Sequence, residues 1–391
     1  MARGNFGGGD GTELNPFLVE DKEDLLQVFY KNREYPMHHY KQSKDINLIG
    51  VDWIPIGDIS QGPPFMGVFD GDNYSIKNLK FSSGSSYIGL FGLCVGATLK
   101  NIDLEKAEIV SSNGFYAALL CAYLDGQCVV SDCSVQGTVV GNFSNSNIAG
   151  LAVSLSSASV IERCSANVKL IGHYLAGAVV YANGTISNCC IVGSIEGASL
   201  NGEAKLQAST FANSCDSSCI IRNSYSVVTI NNANTRNSSM GLFASPASPY
   251  ETPTIESCFS DITVGVTTDG WHAGIPYYSS SSEFYVRGTD SGLYKLINNQ
   301  DGIDYSGLPP YGTFYNAQPI AGARYSEFWE PVTSSTSMQG RETKEMKTKA
   351  NYVGWDFGKV WLISEDKTYP ILRKPPRKIT CKRVPLTNYR R

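Results

Sequence analysis

The chain has 391 residues, enough for one large or two ordinary domains, and only 17% of them are charged. Its abundance of Gly, Ser and Asn is the composition of strands and turns, not of long solvated helices. The formal charge of −4 hides an asymmetry: "RKPPRKITCKRVPLTNYRR" at the end holds eight Lys/Arg and no acid, so 24 bases (32 less 8) face 36 acids in an acidic body that excludes general nucleic-acid binding.

Residues 1–60 read as an N-terminal cap with entry strands. The opening "MARGNFGGGDGTELNPF" has one basic residue and no apolar core, which leads us to expect no secretory leader. No run in the chain approaches the roughly 18 apolar residues of a membrane helix, so no membrane insertion is expected. "NPFLVEDKEDLLQVFYK" predicts a short strand followed by a helix from about Lys22, with Asp21 as N-cap and Asp24 in the first turn. Leu25, Leu26 and Phe29 then form an apolar face able to close the first turn of whatever follows.

Residues 61–270 repeat. A small residue followed by apolar ones recurs as "GVF" at Gly67, "GLF" at Gly89, "ALL" at Ala118, "GLA" at Gly150, "GAV" at Gly177, "STF" at Ser209 and "GLF" at Gly241. A second motif follows each one, from "IKNLKF" at Ile76 and "LKNIDL" at Leu99 through "VSDCSV", "IERCSA", "ISNCCI" and "IRNSYS" to "IESCFS" at Ile255. The spacing is shorter than the roughly 40–45 residues of a propeller blade. The units lack the 3.6-residue apolar stripe of helical repeats. Coils of short parallel strands joined by turns fit.

In the second motif the inward alternation slips once, near Asn78, Asn101, Asp132, Arg163, Asn188, Asn223 and Ser257. A bend there stacks these side chains at one corner, where they can hydrogen-bond from coil to coil. The next residue (Leu79, Ile102, Cys133, Cys164, Cys189, Ser224, Cys258) forms a column read as core, with the cysteines acting as small hydrophobes. "CDSSC", with Cys215 and Cys219, has no second pair and no nearby His, so no metal and no cofactor is expected.

Residues 271–342 break the period and concentrate aromatic residues among Gly, Ser and Asn. Long excursions from a repeat are usually functional or assembly contacts. Trp271, Tyr285, Tyr311, Tyr315 and Trp329 are the candidate binding residues, with a recognition surface that stacks on sugars weighed about evenly against packing on the side of the solenoid or on an identical neighbour. Residues 343–373 contain "YVGWDFGKVWLISEDKTYPILR", read as a C-terminal strand cap built around Trp355, Phe357 and Trp361. Residues 374–391 are the basic tail.

"GGGDGTELNPFLVEDKEDL", "DWIPIG", "FMGVFDGDNYSIKNLKF" and the ordered repeats resemble the GLUG-motif family of right-handed β-helices, as does the closing "KEMKTKANYVGWDFGKVWLISEDKTYPILR". The resemblance covers about residues 7–265 and 343–373. The Cys-rich middle repeats, the excursion and the tail depart from it. It implies an all-β, right-handed parallel β-helix. Members occur on phage tails, adhesins and bacterial surface proteins. The chain looks most like a phage tail or tail-fibre component, a virion protein assembled in the host cytoplasm, whose partners are a host cell-surface glycan or other virion proteins, including copies of itself. Two alternatives stand beside this: a polysaccharide-degrading tailspike-type enzyme and a bacterial surface adhesin. We expect no enzymatic activity. His38, His39, His173 and His272 show no nucleophile partnering, and the acids do not recur in one outward column.

Overall fold

The computed structural model describes residues 5–81, 85–111, 116–142, 145–197, 207–231, 238–241, 244–247, 253–264, 271–273, 287–288, 324–328, 345–352 and 354–374. It is a parallel β-helix. One coil passes through Tyr116–Ala118, Cys121–Asp125, Val129–Ser131 and Ser134–Gly141, and the next repeats the path through Asn147–Ala149, Ala152–Leu155, Val160–Glu162 and Ser165–Gly172. Equivalent strands stack in parallel into a seven-stranded, a six-stranded and a nine-stranded sheet, and a fourth sheet of long strands. The register holds residue by residue, as in Val130↔Ile161↔Ile186↔Ile221. At about 4.8 Å per strand, the nine-stranded sheet is a rod side of roughly 38 Å.

The first-motif small residues do not share one position: Ala118, Ser209 and Gly241 align with Ala149 and Ala176, so Gly150 and Gly177 stand one residue further along the coil. A Cβ built on Gly177 would lie 2.0 Å from the Thr210 carbonyl oxygen of the next coil, so only glycine lets the backbones approach there. Inside, Leu99, Val130, Ile161, Ile186 and Ile221 are fully buried in one continuous core, while Glu162 beside Ile161 faces outward and is partly exposed.

The expected corner exists. Asn101, Asp132, Arg163, Asn188, Asn223 and Ser257 all have left-handed backbones, with φ between 47° and 56°. Asn and Asp tolerate this region better than other side chains. From Asn101 to Asn223, each corner N–H donates to the carbonyl just before the next corner, as Asn101 to Ser131, Asp132 to Glu162 and Arg163 to Ser187. Asn78 needs correction. It is left-handed too, yet Ser75–Lys77 pairs with Asp103–Glu105 of the long-strand sheet, so "IKNLKF" lies one sheet out of step with the later second motifs. The coil equivalent of Asn78 is Lys106, the extra residue of a bulge, and the true first corner is the turn Gly71–Tyr74.

The helix Lys22–Glu34 starts as expected, with the Asp21 carboxylate accepting from the Asp24 N–H at 2.9 Å. Leu25 and Val28 join the main core, and Leu26 packs partly buried against it. The C-terminal block contains an antiparallel strand pair, Trp361–Leu362 with Ile371–Leu372. It lies on the flank of the rod. Met346, Tyr352, Trp355 and Trp361 pack on Cys190 and Tyr225, which share an outward column of the long-strand sheet with Ser134 and Ser165. Trp355 Nε1 donates to the Ser257 carbonyl at 2.9 Å, Tyr225 Oη to the Pro370 carbonyl at 2.6 Å, and Lys374 pairs with Asp103 at 2.8 Å. The block therefore bridges several coils.

Candidate functional site

Where the seven-stranded and six-stranded sheets meet, the outer surface folds inward. Ala117, Cys121 and Leu124 belong to the interior core, so alternation turns Tyr116, Ala118 and Ala122 outward, and a slip between Cys121 and Leu124, three residues apart, leaves Tyr123 outward as well. Even so, Ala118, Ala149, Ala176, Val153 and Val180 are at most 1% exposed and form an apolar cluster separate from the main core. Outward residues become buried this way when two sheet faces close toward each other.

Tyrosines line both rims of this angle. Tyr87 and Tyr116 are register partners on successive coils, and their rings stack at 5.3 Å with an interplanar angle of 6°. Tyr123, on the facing sheet, stands edge-on to both, at 6.1 Å from Tyr87 and 6.3 Å from Tyr116. The same rows continue through Asn147 and Tyr174 on one side and Ser154 and Tyr181 on the other. Tyr181 Oη donates to Asn147 Oδ1 at 2.9 Å, reaching back one coil as Tyr123 does. All five tyrosines are half-buried. Burial raises the pKa of Tyr87 and Tyr181, so their hydroxyls stay protonated and able to donate. These residues offer fixed aromatic faces, an amide and hydroxyls, with Leu93 before Tyr123 and Gln207 after Tyr174 in the same rows, and none of them carries a charge. Such a surface can stack on and hydrogen-bond a polar, neutral, ring-shaped ligand.

Of the expected site residues, Tyr285, Tyr311, Tyr315 and Trp329 lie outside the described residues. Trp271 opens the strand Trp271–Ala273, whose backbone pairs with Ser238–Met240 as an end strand of the seven-stranded sheet. Sequence reasoning passed over the strip tyrosines. Their signal was a tyrosine flanking the small-residue motif on both sides, in "YAALLCAY" and "YLAGAVVY".

The other sequence candidates are structural. The ten described cysteines are all buried with free thiols. Burial pushes the Cys133 and Cys189 thiols well up and acts the same way on Cys164, where hydrogen bonds from the two flanking thiols oppose it. Cys215 and Cys219 flank a turn tied by the Ser218 N–H to Asp216 Oδ1 at 2.8 Å. The His38 ring packs among Phe17, Tyr35 and Tyr40, and His173 is 5% exposed. No group of metal-ligating side chains occurs among the described residues, and no described helix is long and apolar enough to cross a membrane.

No family model matches the chain. Halomucin of Haloquadratum walsbyi is 28% identical over 125 residues, which is 28% of this chain and 1% of that protein. A "Putative Gly-rich membrane protein" of Evansella cellulosilytica is 35% identical over 95 residues, 22% of this chain and 10% of the relative. The chain thus matches only a small part of these curated relatives. Among solved structures, one titled as a "putative immunoglobulin A1 protease" from Bacteroides ovatus has a TM-score of 0.57 at 18% identity, covering 95% of this chain and 96% of that one. A second, titled "IgA1 Protease", has a TM-score of 0.50 at 17% identity over 78% of this chain and 25% of that one. At these identities the likeness is one of fold, and it is a β-helix.

Proposed function

We propose that the protein is a non-catalytic recognition scaffold displayed at a surface, binding a neutral glycan along the tyrosine strip. The observation that carries this reading is the stacked Tyr87–Tyr116 pair with Tyr123 edge-on to both, its two rows continued along the rod to Tyr174 and Tyr181. A rigid coil stack fixes the aromatic faces before binding, so little side-chain entropy remains to be lost. Surface display rests on the sequence resemblance and on the printed name of the Gly-rich membrane relative. The phage particle expected from the sequence is one setting of this kind, and a cell envelope is another. The segment 271–342 remains a second candidate contact in either.

Binding of cell-wall and capsular glycans by the intact chain and by Tyr116→Ala with Tyr123→Ala tests the proposal. Retained folding with at least a tenfold loss of binding is expected, since each aromatic contact contributes about 0.5–1.5 kcal/mol beyond its buried area. Undiminished binding by the double variant would move the site elsewhere. Oligosaccharides released by the intact chain would replace recognition with hydrolysis.

A further inference from the structure

A second recess lies on the long-strand sheet, on a different side of the rod. It is a depression of about 370 Å³ lined by Lys106, Glu108, Gln136, Thr138, Asn167, Lys169 and Ser194, among others. That size falls in the range of small-ligand sites. A pinch in the sheet runs along its lining. At the aligned positions Ala107, Gly137, Val168 and Gly193 the backbones press together, and a Cβ on Gly193 would meet the Val168 carbonyl oxygen at 1.9 Å. Gln136 and Asn167 stand in the outward column before the pinch, and Glu108, Thr138, Lys169 and Ser194 in the column after it.

The charges in the recess are unequally engaged. Glu108 is held by Lys80 at 2.9 Å, outside the lining. Lys169 reaches Glu196 only at 4.0 Å. Lys106 has no ion pair among the described residues, and it stands on the left-handed bulge residue, at φ 54°, that Asn78 occupies one coil earlier. A lysine in place of a residue better suited to that backbone puts a cation at the recess.

We propose that this recess binds a carboxylated sugar, a uronate unit of an acidic glycan. Lys106 and Lys169 take the carboxylate, while Gln136, Asn167, Thr138 and Ser194 offer donors and acceptors to its hydroxyls. The site is independent of the tyrosine strip, which carries no charge and faces another way.

Isothermal titration of the full chain with trigalacturonate and with neutral galactotriose tests this. Trigalacturonate should bind and weaken as salt rises, and galactotriose should bind at least tenfold more weakly. Lys106→Asn keeps a residue that this bulge already accepts in the preceding coil. Combined with Lys169→Gln, it should lower trigalacturonate affinity at least tenfold with the circular dichroism unchanged. Thr138→Trp, which fills the recess, should have the same effect, and Tyr116→Ala should have none. No trigalacturonate binding at millimolar concentration overturns the proposal, as do equal affinity for the neutral trisaccharide and full binding by the lysine variants. Loss in Tyr116→Ala alone would assign the ligand to the strip and equally overturn it.

Discussion

Arg163 lies one coil above Asp132 at the same corner, and its guanidinium closes on that carboxylate with two bonds of 2.8 Å. Two coils earlier the link is a single bond, neutral on one side: Asn101 Nδ2 donates to Asp70 Oδ1 at 2.8 Å. A bidentate, partly buried pair is among the stronger polar contacts, and here it offsets the left-handed backbone that Arg163 adopts. Arg163→Ala keeps the strain and loses the pair, so urea unfolding should show about 1–3 kcal/mol of destabilisation. Arg163→Asn suits the backbone and can reach Asp132 as Asn101 reaches Asp70, so it should cost less than Arg163→Ala. Equal losses for the two variants would mean that backbone strain plays no part at this corner.

The buried thiols predict a protected protein. Burial drives Cys128 up to about 11 and Cys190 up to about 12, and leaves the described cysteines without access to reagent. Native protein treated with a thiol-specific chromogenic reagent at pH 8 should therefore react at no more than one cysteine per chain, Cys381 lying beyond the described residues. Full reaction should follow unfolding in urea. Fast reaction of several thiols in the native state would contradict the column of core cysteines.

Histidine supplies the pH dependence. Burial among Phe17, Tyr35 and Tyr40 lowers the pKa of His38 below its ordinary 6.5. Between the folded value and 6.5 the unfolded chain binds a proton that the folded chain refuses. The stability associated with neutral His38 is thus complete above about pH 6.5 and declines as pH falls through that window. Melting curves from pH 7.5 to 5 should show this slope in the wild type and a shallower one in His38→Gln. Identical slopes would remove His38 from the explanation.

Much of this architecture could be read from residue types, because a solenoid repeats its constraints. Six corner residues with left-handed φ, and the buried column beginning at Ile102 and Cys133, follow from one slip in alternation, seen again in each coil. Asn78 misled because a bulge and a corner demand the same backbone, and asparagine answers both. The tyrosine strip was harder to see. Tyr116 and Tyr123 are seven residues apart in sequence, and only the inward fold between their sheets makes them face one another. The flanking position of the C-terminal block had no local signal either, since Trp355 and Trp361 find Ser257 and Asn188 roughly a hundred residues or more away.

That flanking block makes one cysteine a reporter. Cys190 faces outward beneath Met346, Tyr352, Trp355 and Trp361, whereas Cys133, Cys164 and Cys189 face the interior. Trp361 is fully buried, rests 4.6 Å from the Trp355 ring and donates to Asn188 Oδ1 at 3.3 Å. Removing so large a ring from a well-packed site costs about 3–5 kcal/mol, unless the block releases first and limits the loss to its own docking energy. The coils retain their own core, so release is the expected response. Trp361→Ala should leave the β-sheet circular dichroism intact, shift the remaining tryptophan emission to the red and make Cys190 reactive. Peptide mapping after alkylation would locate the label. Modification of Cys164 or Cys189 at the same rate would mean that the block holds the coils themselves together. An unlabelled Cys190 would show that the block stays docked without its central ring.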